Sequence, residues 1–169
     1  IQQVDLFSQI SLDNFYGIEF ADFAAETAKV SLRIAEQQMD TAYGEQFNKP
    51  LICLPLRSAP NIHTSSALSI DWSLVCPANK HDEVYICGNP PYLGSGGRSD
   101  IQNAEQDTVM NGRILNGARA LDFVCNWFVL AHAFCSNLPA SKFAFVSTNS
   151  ITQGSHIPSL WPYLLSNNM

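Results

Sequence analysis

The stretch Glu83-Val84-Tyr85-Ile86-Cys87-Gly88-Asn89-Pro90-Pro91-Tyr92 changes character halfway. Its first half is a nearly continuous apolar run of the kind that forms a strand covered on both faces. Its second half cannot extend that strand, because neither Pro90 nor Pro91 can donate to a ladder. The prolines stiffen a turn and leave carbonyl groups with fixed directions. Asn89 adds a side-chain carbonyl acceptor, and Tyr92 adds a flat aromatic face. Two acceptors beside a stacking ring suit a planar guest that carries an exocyclic NH2. If Asn89 Oδ1 and the Pro90 carbonyl take its two N–H bonds, they favour a pyramidal nitrogen and stabilise positive charge developing on it. Such a nitrogen can attack a sulfonium methyl with no covalent enzyme intermediate. A base in a duplex must first leave the stack, and Tyr92 can replace the stacking it loses.

Upstream of this turn, the aromatic and β-branched run Asn14 to Phe20 predicts a strand ending near Glu19. Asp22 then caps a helix whose Phe23, Thr27, Val30 and Ile34 share one face, widened by Ala24, Ala28 and Ala35. That helix is expected to fade between Met39 and Gly44. Gln46 to Ser66 reads as irregular, punctuated by Pro50, Pro55 and Pro60. Ser66 to Trp72 reads as a second strand, closing on Ile70-Asp71-Trp72.

Downstream, the Gly- and Ser-rich segment Leu93 to Asp100 predicts a mobile lid. It lacks the Lys-Ser/Thr ending of a phosphate cradle. Ile101 to Met110 suits a polar helix. Leu121, Val124, Phe128, Ala131 and Cys135 repeat at helical spacing. Lys142 to Thr148 is a fourth strand, followed by a polar loop from Asn149 to Gly154 and a last helix from about Pro158. Strands alternating with helices predict an α/β fold with a mostly parallel sheet covered on both faces. Ligands in such folds lie beyond the carboxyl ends of the strands. Glu19, Asp71, Asn89 and Asn149 are all expected there.

The chain has 169 residues, 46% of them apolar, which suits one globular domain. Its most apolar stretch, Phe123 to Cys135, is interrupted by Asn126 and His132 and is too short to cross a bilayer. No membrane partner is expected. The five cysteines form no Cys-x-x-Cys pair, and Cys87 and Cys125 sit in apolar patterns. They read as reduced, buried thiols, which points to the cytoplasm. The four histidines show no zinc-like spacing, so no metal is expected. A net charge of -6 argues against this stretch gripping a DNA backbone by itself.

Tyr85 to Tyr92 resembles the fourth motif of amino-methylating DNA methyltransferases. Ala144-Phe145-Val146-Ser147-Thr148-Asn149-Ser150-Ile151-Thr152-Gln153-Gly154, with Leu160-Trp161-Pro162, is similar to the large adenine methyltransferases fused to restriction enzymes (type IIG). The resemblance covers nearly the whole chain. It implies a Rossmann-like class I core that uses S-adenosyl-L-methionine to methylate the exocyclic amino group of adenine in DNA. It implies catalytic roles for Asn89, Pro90, Pro91 and Tyr92. Phe15-Tyr16-Gly17-Ile18-Glu19 resembles the second motif, whose acid holds the cofactor ribose. Asp71 resembles the third-motif residue near the cofactor adenine. Phe20, Trp72 and Asn89 complete the expected cofactor contacts. Leu121-Asp122-Phe123 lies where the fifth motif lines the pocket, with Asp122 and Asn149 expected on the substrate side. Cytosine ring-carbon methylation needs a Cys after Pro, and Cys76-Pro77 has the reverse order.

One departure stands out. The family's Gly-rich first motif should precede Phe15, yet Ile1 to Asn14 contain no Gly. Residues 1–169 therefore read as part of a methyltransferase domain whose central strand and target-recognition region lie elsewhere, with double-stranded DNA held by those other regions. Open strand edges would be relieved by Val4 to Ile10, by swapping, or by a homodimer. The same turn also occurs in enzymes that methylate RNA bases or a protein glutamine. An inactive fragment that only folds or oligomerises is the remaining alternative.

Overall fold

The computed structural model describes residues 10–47, 59–114 and 116–166. Val4 to Gln9, Pro50, Cys53 and Pro55, which figure in the expectations above, lie outside them. The chain divides into two compact units, one running to Cys76 and the other starting at Pro77.

In the first unit, β1 (Tyr16–Glu19) and β2 (Asn61–Thr64) pair in parallel, from Tyr16 opposite Asn61 to Glu19 opposite Thr64. The pairing is extended by Asn61 N–H donating to the Phe15 carbonyl and Ser65 N–H donating to that of Glu19. Gly17 faces Ile62 so closely that a Cβ there would meet Ile62 Cδ1 at 2.7 Å. The crossover contains α1 (Asp22–Phe47), which packs on both strands.

Three expectations fail in this unit. The second strand is Asn61–Thr64, not Ser66 to Trp72. Ser66 to Asp71 instead folds on itself, with Ser69 and Ile70 amides donating to the Ser66 carbonyl, before the short helix α2 (Trp72–Val75). The helix α1 continues past Gly44 to Phe47. Of its expected face, only Ala24 and Ala28 are half-buried, next to the buried Ala25, while Phe23 is 85% exposed and Val30, Ile34 and Ala35 are exposed too. The helix carries apolar residues at helical spacing on two adjacent faces, and the smaller side chains allow the closer approach.

In the second unit, β3 (Tyr85–Gly88) and β4 (Lys142–Phe145) pair in parallel, from Tyr85 opposite Lys142 to Gly88 opposite Phe145. Among the described residues, the four strands thus form two two-stranded parallel sheets, where one sheet was expected. Between β3 and β4 lie α3 (Asp100–Met110) and α4 (Cys125–Cys135). The first of these begins at a full capping box, in which Ser99 and Gln102 satisfy each other's backbone amides. The second starts later than the Leu121 repeat suggested. Leu121 and Val124, both fully buried, sit in the turn before it.

Phe128 of α4 meets Phe143 and Phe145 edge-on, at ring separations of 6.3 and 5.3 Å. These rings and Ile86 are half-buried, while Tyr85, Cys87, Lys142 and Ala144 are exposed. The apolar run at β3 was expected to be covered on both faces and Cys87 to be buried; instead the side chains alternate, and Cys87 lies on the exposed side. The strand β4 is followed by a 3-10 turn, Asn149–Thr152, and then by α5 (His156–Ser166). Leu160 of α5 is fully buried with Met110, Val124 and Val129 in the core of this unit. Its truncation to Ala would cost about 2–5 kcal/mol.

Candidate active site

The carboxyl ends of β3 and β4 lie side by side, since Val146 N–H donates to the Gly88 carbonyl at 3.0 Å. Asn89 leaves the first of these ends. It is exposed, and its side-chain amide has no hydrogen-bond partner among the described residues. Pro90 is buried and Pro91 exposed. Neither has an N–H, so the turn leaves no donor unpaired at those two positions. Tyr92 is 47% exposed.

The turn is fixed from the far side. Phe123 N–H donates to the Leu93 carbonyl at 2.9 Å, which ties the residue after Tyr92 to the residue after Asp122. Three consecutive amides in this second segment have separate acceptors. Asp122 N–H donates to His156 Nε2 at 2.9 Å, Phe123 N–H to Leu93, and Val124 N–H to Asp122 Oδ1 at 3.3 Å. The preceding carbonyl, of Leu121, accepts from Arg98 Nη1 at 2.6 Å and from Gln106 Nε2 at 3.4 Å. Gln106 also donates to Ala118 and accepts from Asn126. Arg98 donates further to the Arg119 carbonyl and to Asn103 Oδ1.

Leu93 to Asp100, expected as a mobile lid, is thus anchored at both ends, by the Leu93 carbonyl and the Arg98 guanidinium. Asp122 is only 9% exposed. Burial, with the Asp122 charge adding to it, pushes the Cys125 thiol up to about 12. That thiol stays protonated at neutral pH and cannot serve as a nucleophile.

Asn149 is exposed in the 3-10 turn that follows β4. Its segment is anchored by Trp161 Nε1, which donates to the Ile151 carbonyl at 2.8 Å. The structure therefore joins the Asn89–Tyr92 turn to Asp122 through one backbone bond, and places Asn149 beyond the neighbouring strand.

The other expected residues belong to the first unit. Glu19 ends β1, and its Oε1 accepts from Ala21 N–H at 3.1 Å. Phe20, just after it, is 80% exposed. Asp71 does not end a strand. It caps α2, with Oδ1 accepting from the Ser73 hydroxyl at 2.6 Å and the Ser73 amide at 2.9 Å. Those bonds, the hydroxyl's first, hold its carboxyl below the usual range. Trp72 Nε1 donates to the Ala67 carbonyl at 2.8 Å, and α2 packs against β1. Glu19 Oε2 and Asp71 Oδ2 keep free lone pairs among the described residues.

Sequence reasoning passes over Arg98, Gln106 and His156. Two signals for the region were present: a lone Arg closing a Gly-Ser run, and the Ser99-x-x-Gln102 capping box. Nothing local marks His156 as a partner of Asp122. Among the described residues, no group of three His, Cys, Asp or Glu could hold a metal ion, and no helix is long and apolar enough to cross a membrane.

A family model described as "MmeI, DNA-methyltransferase domain" matches residues 1–169. The protein named DNA methyltransferase A of Bacillus subtilis (strain 168) is 42% identical over 153 residues, which is 90% of this chain and 17% of that protein. A solved structure of the type IIL restriction-modification enzyme MmeI in complex with DNA is similar with a TM-score of 0.83 and 37% identity, over 94% of this chain and 21% of that one. The chain spans about a fifth of the length of these relatives. With the whole of its length matched, it belongs to the family of the MmeI DNA-methyltransferase domain.

Proposed function

We propose that this chain is the middle part of a Rossmann-like class I methyltransferase domain that methylates the exocyclic amino group of adenine in DNA, within a restriction-modification protein. The observation that carries the reading is the Asn89 amide, exposed and unpaired at the end of β3 on a turn held by Leu93 and Phe123. Family membership supports the reading. Double-stranded DNA is gripped by other regions of the longer protein, since this stretch carries a net charge of -6. The compartment is the cytoplasm.

The residues present fit S-adenosyl-L-methionine. An exposed Phe20 ring follows Glu19, and the carboxylates of Glu19 and Asp71 each keep one oxygen open for a hydroxyl or amino group. Glu19, Phe20, Asp71 and Trp72 of the first unit would hold the cofactor. When bound, it supplies an electrophilic methyl on a sulfonium.

Asn89 Oδ1 and the Pro90 carbonyl accept the two N–H bonds of the target amine. They raise the electron density on nitrogen and stabilise its positive charge as it forms. Tyr92 stacks on the flipped base in place of its lost neighbours. Asp122 and Asn149 line the pocket around it. Cys125, protonated and buried, takes no part.

In the full-length protein, Asn89→Ala is expected to abolish methyl transfer to DNA while calorimetry shows nearly unchanged cofactor affinity. Wild-type turnover in this variant would remove the proposed mechanism.

A further inference from the structure

His156 opens α5, and its Nε2 accepts the Asp122 amide at 2.9 Å from a position 34 residues away. An imidazole nitrogen can accept only through its lone pair, so this bond calls for an unprotonated Nε2. The two amides that follow use other acceptors. The Asp122 carboxylate already takes the Val124 amide, and the Leu93 carbonyl already takes that of Phe123.

The helix is seated on the same segment a second time. Gly117 lies so close to Ser159 that a Cβ would meet its hydroxyl at 2.7 Å. The His156 backbone is fixed in turn by its own N–H, which donates to the Gln153 carbonyl at 3.2 Å. His156 thus links the segment after β4, which carries Asn149, to the segment that carries Asp122.

We propose that His156 is a positioning residue: its Nε2 lone pair holds the Asp122 amide and so sets where Asp122 stands against the Leu93-tied Asn89–Tyr92 turn. The inference rests on the reading of Asp122 as a wall of the target-base pocket. It assigns His156 no contact with the reacting atoms.

The test uses the full-length protein with His156→Ala, which removes the acceptor, and His156→Gln, which offers an amide oxygen in its place. In His156→Ala, kcat/KM for methyl transfer to DNA falls about 3- to 10-fold, the range expected for one lost hydrogen bond. Hydrogen exchange in the peptide containing Asp122 speeds up, and cofactor affinity measured by calorimetry stays close to wild type. His156→Gln recovers most of the rate and the protection.

Wild-type exchange at Asp122 in His156→Ala overturns the inference, as does equal impairment of both variants. Independently of any variant's folding, the wild-type His156 ring 15N signals should show Nε2 unprotonated, and a protonated Nε2 overturns it too. If the wild-type protein transfers no methyl to DNA, the proposed function fails while the exchange and 15N measurements still decide the role of His156.

Discussion

Arg98 Nη1 donates to the Leu121 carbonyl at 2.6 Å, while Nη2 of the same guanidinium takes the Arg119 carbonyl at 2.6 Å. One planar group thereby joins the end of the Gly-Ser segment to the stretch leading into Asp122. Lysine has a single ammonium and cannot reproduce this fork. Arg98→Ala is expected to lower stability by about 2 kcal/mol, as charged hydrogen bonds of this kind contribute. Arg98→Lys should recover less than half of that loss. Urea midpoints of the three proteins check both expectations, and a wild-type midpoint in Arg98→Ala would refute the anchoring role.

Tyr92 presents its ring to solvent, and its hydroxyl has no hydrogen-bond partner among the described residues. The proposed stacking needs the ring and not the hydroxyl. Tyr92→Phe should therefore keep methyl transfer near the wild-type rate. Tyr92→Ala should lose about 5- to 150-fold in kcat/KM, the range that stacking on one base supplies. Equal losses in the two variants would mean that the hydroxyl matters.

The His132 imidazole packs 4.8 Å from the Tyr163 ring, and its Nδ1 is buried without a partner among the described residues. Burial lowers its pKa from the ordinary value. The unfolded chain then accepts a proton that the folded chain resists. The stability involved is fully present above the unfolded-state pKa of about 6.5. It declines as pH falls from there towards the lower folded-state value, and levels off beneath it. Urea denaturation of wild type and His132→Phe across that window checks this. The slope of stability against pH should be smaller in the variant.

Gly117 has a φ of 74°, and a Cβ there would meet Ser159 Oγ at 2.7 Å. Gly117→Ala combines a left-handed backbone cost of about 1–2 kcal/mol with that clash. Removing the hydroxyl leaves Ser159 Cβ at 3.7 Å, an ordinary contact. Gly117→Ala combined with Ser159→Ala should therefore melt at a higher temperature than Gly117→Ala alone, and still below Ser159→Ala alone.

The strands β1 and β3 were legible because each carries a compact apolar run that ends abruptly, at Glu19 and at Asn89-Pro90. The strand β2 was not. Asn61-Ile62-His63-Thr64 has one strongly apolar residue and no alternation. Ser66 to Trp72 has the more strand-like composition, but its polar side chains engage nearby backbone instead. Leu68 N–H donates to Ser66 Oγ, and Ser73 N–H donates to Asp71. The Phe23, Val30 and Ile34 repeat announced the helix, but of the face it marked only Ala24 and Ala28 are half-buried, since spacing alone does not choose between two apolar faces. Of the candidate site, the Asn89–Tyr92 turn could be read from its residues. The scaffold behind it could not, because it is made of backbone amides whose acceptors lie up to 34 residues away.

The link between Leu93 and Phe123 runs from main chain to main chain. It is therefore indifferent to which side chains those two residues carry. Other side chains at either place leave its donor and its acceptor as they are. An attempt to retarget the turn to another amine can therefore exchange those two side chains and keep this tie, whereas the neighbouring ties at Asp122 and Leu121 go with the side chains of His156 and Arg98.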